Sequence, residues 1–335
     1  MKLRASTASA PTRIDLAGGT LDIWPISQMV EDAVTVNVAI ALRAHAAVAP
    51  RRDRSVEIVS ADRKRREVRS LPLGPAAFRG PLSWLFRLVD AFAPETALTL
   101  TCRAEAPAGA GLGGSSTLGI AVGAALAAAT GERLGRAALL ERVMNLETRE
   151  IRVPTGRQDY LAAIWGGLAA YHHRADGVSR EALPGVRALE SRLVLAYTGQ
   201  PRGSGVSNWD MFRRYVEREA ATVRRMEAIA TIARSMAEAL RAGDVDAAGR
   251  RLGEEGRLRY SLAPSVATPL LRAADRAARR AGAIGAKVCG AGGGGCMVAV
   301  AAEGTEAKVA RAIAATGATI LSVRASARGL TVSGP

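Results

Sequence analysis

The sequence predicts an α+β protein of two domains. Three observations carry that expectation. The chain of 335 residues can bury more than one core. Alternating strand-like runs dominate its first third, and long helical runs separate strands in its second half. Two glycine-rich loops, at residues 107–117 and 290–295, each follow a strand-like run.

In chain order, residues 2–9 alternate loosely, as in an edge strand, and Arg13–Leu16 alternate into a Gly18-Gly19 turn with Asp22 at its tip. Asp22 is placed to accept hydrogen bonds from hydroxyls, or simply forms the turn. Ala33–Ala49, Ser55–Ser60 and Thr96–Arg103 read as strands. Leu82–Phe92 is helical by spacing, with Pro94 as its stop. Residues 115–130 read as a small-residue helix, Ala-rich over Leu118–Thr130, with Gly131 as its C-cap. Arg136–Glu150 is a second helix, with Glu147 at the edge of its apolar face. Gln158-Asp159-Tyr160 opens the next segment after Pro154 and Gly156. Spacing alone leaves Glu147 and Asp159 open between solvated or helix-start acids and chemical groups.

The polar stretch Gly177–Arg187 marks the expected boundary, dividing domains at 1–180 and 188–335. Beyond it, Ala188–Tyr197, Ile284–Cys289, Cys296–Ala301 and Thr319–Val323 read as strands. Val216–Leu240, Val245–Leu258 and Glu303–Thr316 read as helices, as does the run from Thr268-Pro269 to Gly282.

Composition narrows the function. The net charge is +15, yet lysine occurs only at Lys2, Lys64, Lys287 and Lys308, and arginine is spread along the chain. Aromatics are 4%, too few for a base-stacking surface, so nucleic acid is disfavoured as a partner and anionic small molecules are favoured. Three cysteines without a CxxC, and three histidines, disfavour a zinc site and structural disulfides, and fit a reducing cytoplasm. No apolar run reaches the ~20 residues of a membrane helix, and Met1–Pro11 lacks a signal-peptide core. A homodimer is left open.

The stretch Pro107-Ala-Gly-Ala-Gly-Leu-Gly-Gly-Ser-Ser-Thr117 joins a strand to a helix start. Glycines let backbone N–H groups reach an anion, and the helix N-terminus adds favourable partial charge. Pro107, Gly109, Gly111, Leu112, Gly113, Gly114, Ser115 and Ser116 are therefore the expected nucleotide cradle. A dinucleotide fold would need a strand after the helix, but residues 132–150 continue as helix. A P-loop would need a lysine after the glycines, and none is present. What remains is a phosphate loop, a carboxylate available to a metal (Glu147), another free for base work (Asp159) and a cation (Arg13), the parts phosphoryl transfer needs.

Three motifs in order then resemble the GHMP kinases of small metabolites: Arg13–Asp22, Pro107–Thr117, and Lys287-Val-Cys-Gly-Ala-Gly-Gly-Gly-Gly-Cys-Met297. Thr155–Tyr160 resembles the stretch holding the family's catalytic aspartate. The pattern is most similar to the sugar-kinase branch that includes heptose 7-phosphate kinases. Trp24-Pro25 and the loop Thr198–Ser207 are this chain's own. The resemblance implies a two-domain fold, with an N-terminal domain like ribosomal protein S5 domain 2 and a ferredoxin-like C-terminal domain. It implies ATP and Mg²⁺ as cofactors and a sugar or sugar phosphate as acceptor. It makes Asp159 the base, with Arg13 beside the transferring phosphate, and Ser116 and Glu147 the metal ligands. Asp22, Asp159, Gly292 and Gly293 would meet the substrate. Retention of Glu147 and Asp159 argues against a non-catalytic sensor of the same fold.

Overall fold

The computed structural model describes residues 3–200, 206–262, 266, 268–290 and 292–334, with residues 206–208 described in backbone only. Part of the loop Thr198–Ser207 and Ala291 of the second glycine loop therefore lie outside the described residues. Seven strands come first: β1 (Ser6–Ala17), β2 (Val34–Pro50), β3 (Ser55–Ser60), β4 (Arg65–Ser70), β5 (Leu98–Ala104), β6 (Leu168–Arg174) and β7 (Gly177–Ala182). Next come β8 (Leu193–Tyr197), β9 (Ala283–Val288), β10 (Cys296–Ala301) and β11 (Thr319–Leu321), and last β12 (Thr331–Ser333). The helices are α1 (Ile26–Met29), α2 (Ser83–Phe92), α3 (Gly114–Thr130), α4 (Arg136–Ile151), α5 (Gln158–Trp165) and α6 (Val186–Arg192), then α7 (Val206–Val216), α8 (Ala220–Arg241), α9 (Val245–Leu262), α10 (Pro269–Ala281) and α11 (Glu306–Ala314).

The first sheet runs β12-β1-β2-β5-β3-β4, with β6 pairing β2 and β7 pairing β6. All its pairs are antiparallel except β3 with β5. The second sheet, β11-β8-β10-β9, is antiparallel throughout. One core lies between the first sheet and α2 to α5, including Val56, Phe86, Ile120, Val143 and Tyr160. Helix α3 is buried nearly all round, because Ala and Gly leave no bulky polar face. A Cβ on Gly119 would stand 2.7 Å from Val143 Cγ1, so glycine sets the close approach of α3 to α4. A second core joins Ile14, Val36 and Leu168 of the first sheet to Leu195 and Val298 of the second, through Ala233 and Leu252 of α8 and α9. The meeting of β1, α5, α9 and both glycine loops thus rests on shared packing.

Several boundaries differ from the expectation. Residues 6–17 form one strand, and β12 covers its outer edge, so β1 is interior. The polar Gly177–Arg187 stretch is strand β7 followed by the start of α6, and the strand expected over 188–197 begins at Leu193. Val216 ends α7, and α8 starts at Ala220 after a turn in which Arg218 adopts φ 59°. The basic cluster Arg63–Arg69 includes β4, where Arg66 pairs with Glu57 and Arg69 with Glu67. The C-terminal tail of the 188–335 segment returns to the first sheet through β12. The caps at Thr268, whose side chain accepts from the Leu271 N–H, and at Gly131 and Gly282, both at positive φ, stand where the sequence puts them. Cys102, Cys289 and Cys296 are buried and not disulfide-bonded. Among the described residues no helix is long and apolar enough to cross a membrane.

Candidate active site

Strand β5 leads through the first glycine loop into α3. Gly109, Gly111 and Gly113 take φ of 68°, 80° and 75°, with Ala110 and Leu112 between them. Backbone that alternates left-handed and ordinary residues is of the kind that turns successive N–H groups inward and binds anions. No side chain caps the start of α3 at Gly113, so its first N–H groups are left for a ligand. Buried Leu112 anchors the loop, and its carbonyl accepts from the Arg13 N–H at 3.1 Å. The second glycine loop braces the first: Cys296 N–H donates to Ala110 O at 2.8 Å, and a Cβ on Gly295 would lie 2.8 Å from both Gly109 O and Ala110 O. Beside Ser115 opens a hollow lined by Ser60, Arg63, Trp84, Leu118 and Glu147.

Asp159 stands in the first turn of α5, against the loop: a Cβ on Gly113 would meet its Cγ at 2.9 Å. Arg13 Nη2 pairs with Asp159 Oδ1 at 2.5 Å, and Arg13 Nη1 donates to Gly111 O at 2.8 Å. Burial works against the Arg13 charge, but Asp159 and then Asp15 outweigh it and hold its pKa above the ordinary value. Asp159 is a quarter exposed and accessible to a ligand, whereas Arg13 is buried. The sequence-predicted base and cation are therefore brought together on the phosphate loop.

Glu147 is buried on α4 and accepts from the Tyr160 hydroxyl at 2.5 Å. Burial raises its pKa, opposed by hydrogen bonds from Tyr160, Ser115 and Ser116. Glu147, Ser115 and Ser116 thus meet at the start of α3. Among the described residues no cluster of three or more acidic, His or Cys side chains could enclose a metal. One carboxylate with a hydroxyl suits Mg²⁺, which takes few protein ligands and completes its shell from phosphate and water.

A cleft beside the Arg13–Asp159 pair is lined by Arg13, Asp22, Gly156, Asp159, Arg259 and Gly290, among others. Asp22 is buried there, and its two oxygens accept from the N–H groups of Gln158 (2.8 Å) and Thr20 (3.1 Å), tying the turn to the start of α5. Lone pairs remain on both oxygens for a ligand. Burial, with Asp159 adding repulsion, raises the Asp22 pKa to about 6 against the backbone bond from Gln158. Hydroxyl donors favour the carboxylate, so a hydroxylated acceptor taken by this cleft should bind less tightly as pH falls through that value. With Asp22 as its contact, acceptor KM should rise by up to about tenfold between pH 6 and 5 while the KM of a ligand on the glycine loop stays level. Equal acceptor KM at pH 5 and 7.5 would remove Asp22 from the site. Gly292 and Gly293 do not line this cleft. They engage Val266, through close contact and through Gly293 N–H to Val266 O at 3.0 Å.

Sequence reasoning missed a buried ionic network. Lys287 Nζ donates to Asp15 Oδ2 at 3.1 Å and to Glu255 Oε1 at 2.8 Å. Arg259 Nε donates to Glu255 Oε1 at 2.7 Å and Nη2 to Gly19 O at 2.6 Å, while Glu255 Oε2 accepts from Gly18 N–H at 2.8 Å. Burial disfavours the Asp15 charge, yet Lys287, Arg259 and Arg13 hold its pKa below the ordinary range. The signals were present: Asp15 lies two residues after Arg13 amid apolar neighbours, and Glu255 and Arg259 sit one helical turn apart.

The model of the GHMP kinases N terminal domain matches residues 83–167, and that of the GHMP kinases C terminal region matches residues 236–319. A mevalonate kinase of Pyrococcus abyssi is 30% identical over 71% of this chain and 69% of its own length. A D-glycero-alpha-D-manno-heptose 7-phosphate kinase of Campylobacter jejuni is 27% identical over 88% of this chain and 89% of its own. The crystal structure of Lactococcus lactis galactokinase superposes with a TM-score of 0.80 over 98% of this chain and 95% of that one, at 17% identity. The phosphate loop, the braced second glycine loop and the two matched regions agree: this chain belongs to the GHMP kinases and has their two-domain α+β fold.

Proposed function

We propose that the protein is an ATP- and Mg²⁺-dependent kinase that phosphorylates a hydroxyl of a sugar or sugar phosphate, a heptose 7-phosphate or related monosaccharide first. One observation carries this reading: the Arg13–Asp159 pair is seated on the glycine loop, so a carboxylate facing the acceptor cleft stands against the donor cradle. In this reading the N–H groups of residues 111–115 hold the phosphates, and the hollow beside Ser115 receives the nucleoside. Asp22 orients acceptor hydroxyls. Asp159 accepts the proton of the attacking hydroxyl, whose oxygen bonds to the γ-phosphorus as the bridge to ADP breaks. Arg13 balances charge beside that transfer. Glu147 and Ser116 would hold the Mg²⁺, which when bound neutralises phosphate charge. The domains follow residues 1–180 and 188–335, with the tail strand returned to the first.

Similarity to the heptose kinase over most of both chains supports a sugar acceptor. Similarity to mevalonate kinases keeps a second acceptor, a hydroxy acid, as the competing reading. ADP release measured across free and phosphorylated hexoses and heptoses, with mevalonate alongside, decides between them. Turnover of mevalonate alone would overturn the sugar reading. Glu147→Gln should raise the Mg²⁺ concentration for half-maximal activity by roughly tenfold, in line with loss of a charged ligand. An unchanged Mg²⁺ titration would remove Glu147 as a ligand.

A further inference from the structure

We infer that Asp15, Gln158 and Arg259 form a hydroxyl-reading subsite on the floor of the acceptor cleft, one that takes an uncharged polyhydroxyl segment of the acceptor. This rests on the reading of the cleft as the acceptor site of a sugar kinase.

The three side chains converge on Gly19. A Cβ there would stand 2.6 Å from Asp15 Oδ2, 3.0 Å from Arg259 Nη2 and 3.0 Å from Gln158 Nε2. Each residue is more than nine-tenths buried, and each lines the cleft together with Asp22 and Asp159. Each also has unused hydrogen-bonding capacity. Lys287 engages Asp15 Oδ2, but Asp15 Oδ1 is buried with no hydrogen-bond partner among the described residues. Gln158 Oε1 is buried in the same condition. Arg259 directs Nε to Glu255 and Nη2 to Gly19 O, which leaves Nη1 without a hydrogen bond to the described residues. Buried polar atoms without partners are costly and rare, and two of them, Asp15 Oδ1 and Gln158 Oε1, belong to residues of one cleft floor, which marks a place where a ligand supplies the missing bonds.

The polarity of the unused atoms selects the ligand. Asp15 Oδ1 and Gln158 Oε1 are acceptors and need a donor. Arg259 Nη1 and Arg13 Nε, the latter buried in the same cleft lining without a hydrogen-bond partner among the described residues, are donors and need an acceptor. Hydroxyls do both, whereas an ionised phosphate or carboxylate only accepts and would face the Asp15 carboxylate. Charge points the same way. Asp15 and Glu255 balance Lys287 and Arg259 within the network, so it holds no surplus cation for an anion. A phosphate carried by the acceptor would therefore extend away from this floor.

The test compares the preferred monosaccharide with its full set of monodeoxy analogues, in the wild type, Gln158→Met and Arg259→Lys. In the wild type, loss of one particular hydroxyl should cost roughly 100-fold in kcat/KM, the penalty of leaving buried site groups unpaired. In Gln158→Met the same deletion should cost less than about threefold, because the group it met is gone. Nucleotide KM should not change. Arg259→Lys, which keeps the charge beside Glu255, should lose discrimination at the same or the adjacent hydroxyl. If Arg259→Lys does not fold, Gln158→Met alone decides. A sugar turned over with identical deoxy penalties in wild type and variant overturns the subsite and leaves the sugar-kinase reading standing. Turnover of mevalonate with no sugar overturns that reading, and the subsite with it.

Discussion

Asp159→Asn is expected to lower kcat by roughly 100- to 10,000-fold, the usual contribution of a positioned general base. The substitution keeps the volume that packs against Gly113 and removes the proton acceptor. It also removes the nearest counter-charge of buried Arg13, which retains only the more distant influence of Asp15. Because Asp159 is partly solvated, that second loss should cost about 1–3 kcal/mol of stability, the range for a hydrogen bond to a charged group. The two effects separate cleanly. A modest fall in the denaturation midpoint with a collapse in kcat marks a chemical role. A modest fall with kcat within about threefold of wild type would mark a structural ion pair and remove Asp159 from the base role. Nucleotide affinity, measured by titration, should hold within about threefold, because the cradle consists of backbone N–H groups the mutation does not touch.

The parts of this site that sequence reveals are those whose chemistry is local. Glycines at 109, 111 and 113, followed by a helix start, make the loop legible within a dozen residues, and all three take positive φ. Strongly patterned elements with clear stops, such as Ser55–Ser60, Cys296–Ala301 and Pro269–Ala281, lie where periodicity and caps put them. Strands β4, β7 and β12 escaped because they are short and polar, and their partners β3, β6 and β1 create them more than their own propensity does. The ionic network escaped for a different reason. Asp15 and Lys287 are 272 residues apart, and Gly18 and Glu255 are 237 apart. No local pattern reports a contact of that range. A glycine run invites a ligand reading, and in the structure Gly292 approaches Val266 closely while Gly293 N–H donates to Val266 O.

Lys287→Met carries the largest stability effect we expect. Lys287 is fully buried on β9 of the second sheet and donates to Asp15 on β1 of the first and to Glu255 on α9. Removing it leaves two buried carboxylates facing Arg259 as the remaining cation of the network, with Arg13 further off beside Asp15. Breaking a buried ion pair from one side costs about 3–5 kcal/mol, because the surviving charge stays desolvated. The pH dependence follows from Asp15. Its folded pKa lies below the ordinary value, so its ion pairs stabilise the wild type above about pH 4, and that contribution is lost as pH falls through the lowered value. Without Lys287 the Asp15 pKa moves up, and the variant gains stability on acidification as the carboxyl takes a proton. The deficit should therefore be full at pH 7.5 and narrow below about pH 5. Adding Asp15→Asn to Lys287→Met removes one of the stranded charges and should restore about 1–3 kcal/mol, the scale of coupling between contacting groups. Denaturant unfolding at pH 7.5 and pH 5 measures all three variants. A single variant within about 1 kcal/mol of wild type at pH 7.5 would mean that water already reaches this network. The full deficit would identify Lys287 as the residue that ties the Gly18-Gly19 turn to the second sheet, through Glu255 and Arg259.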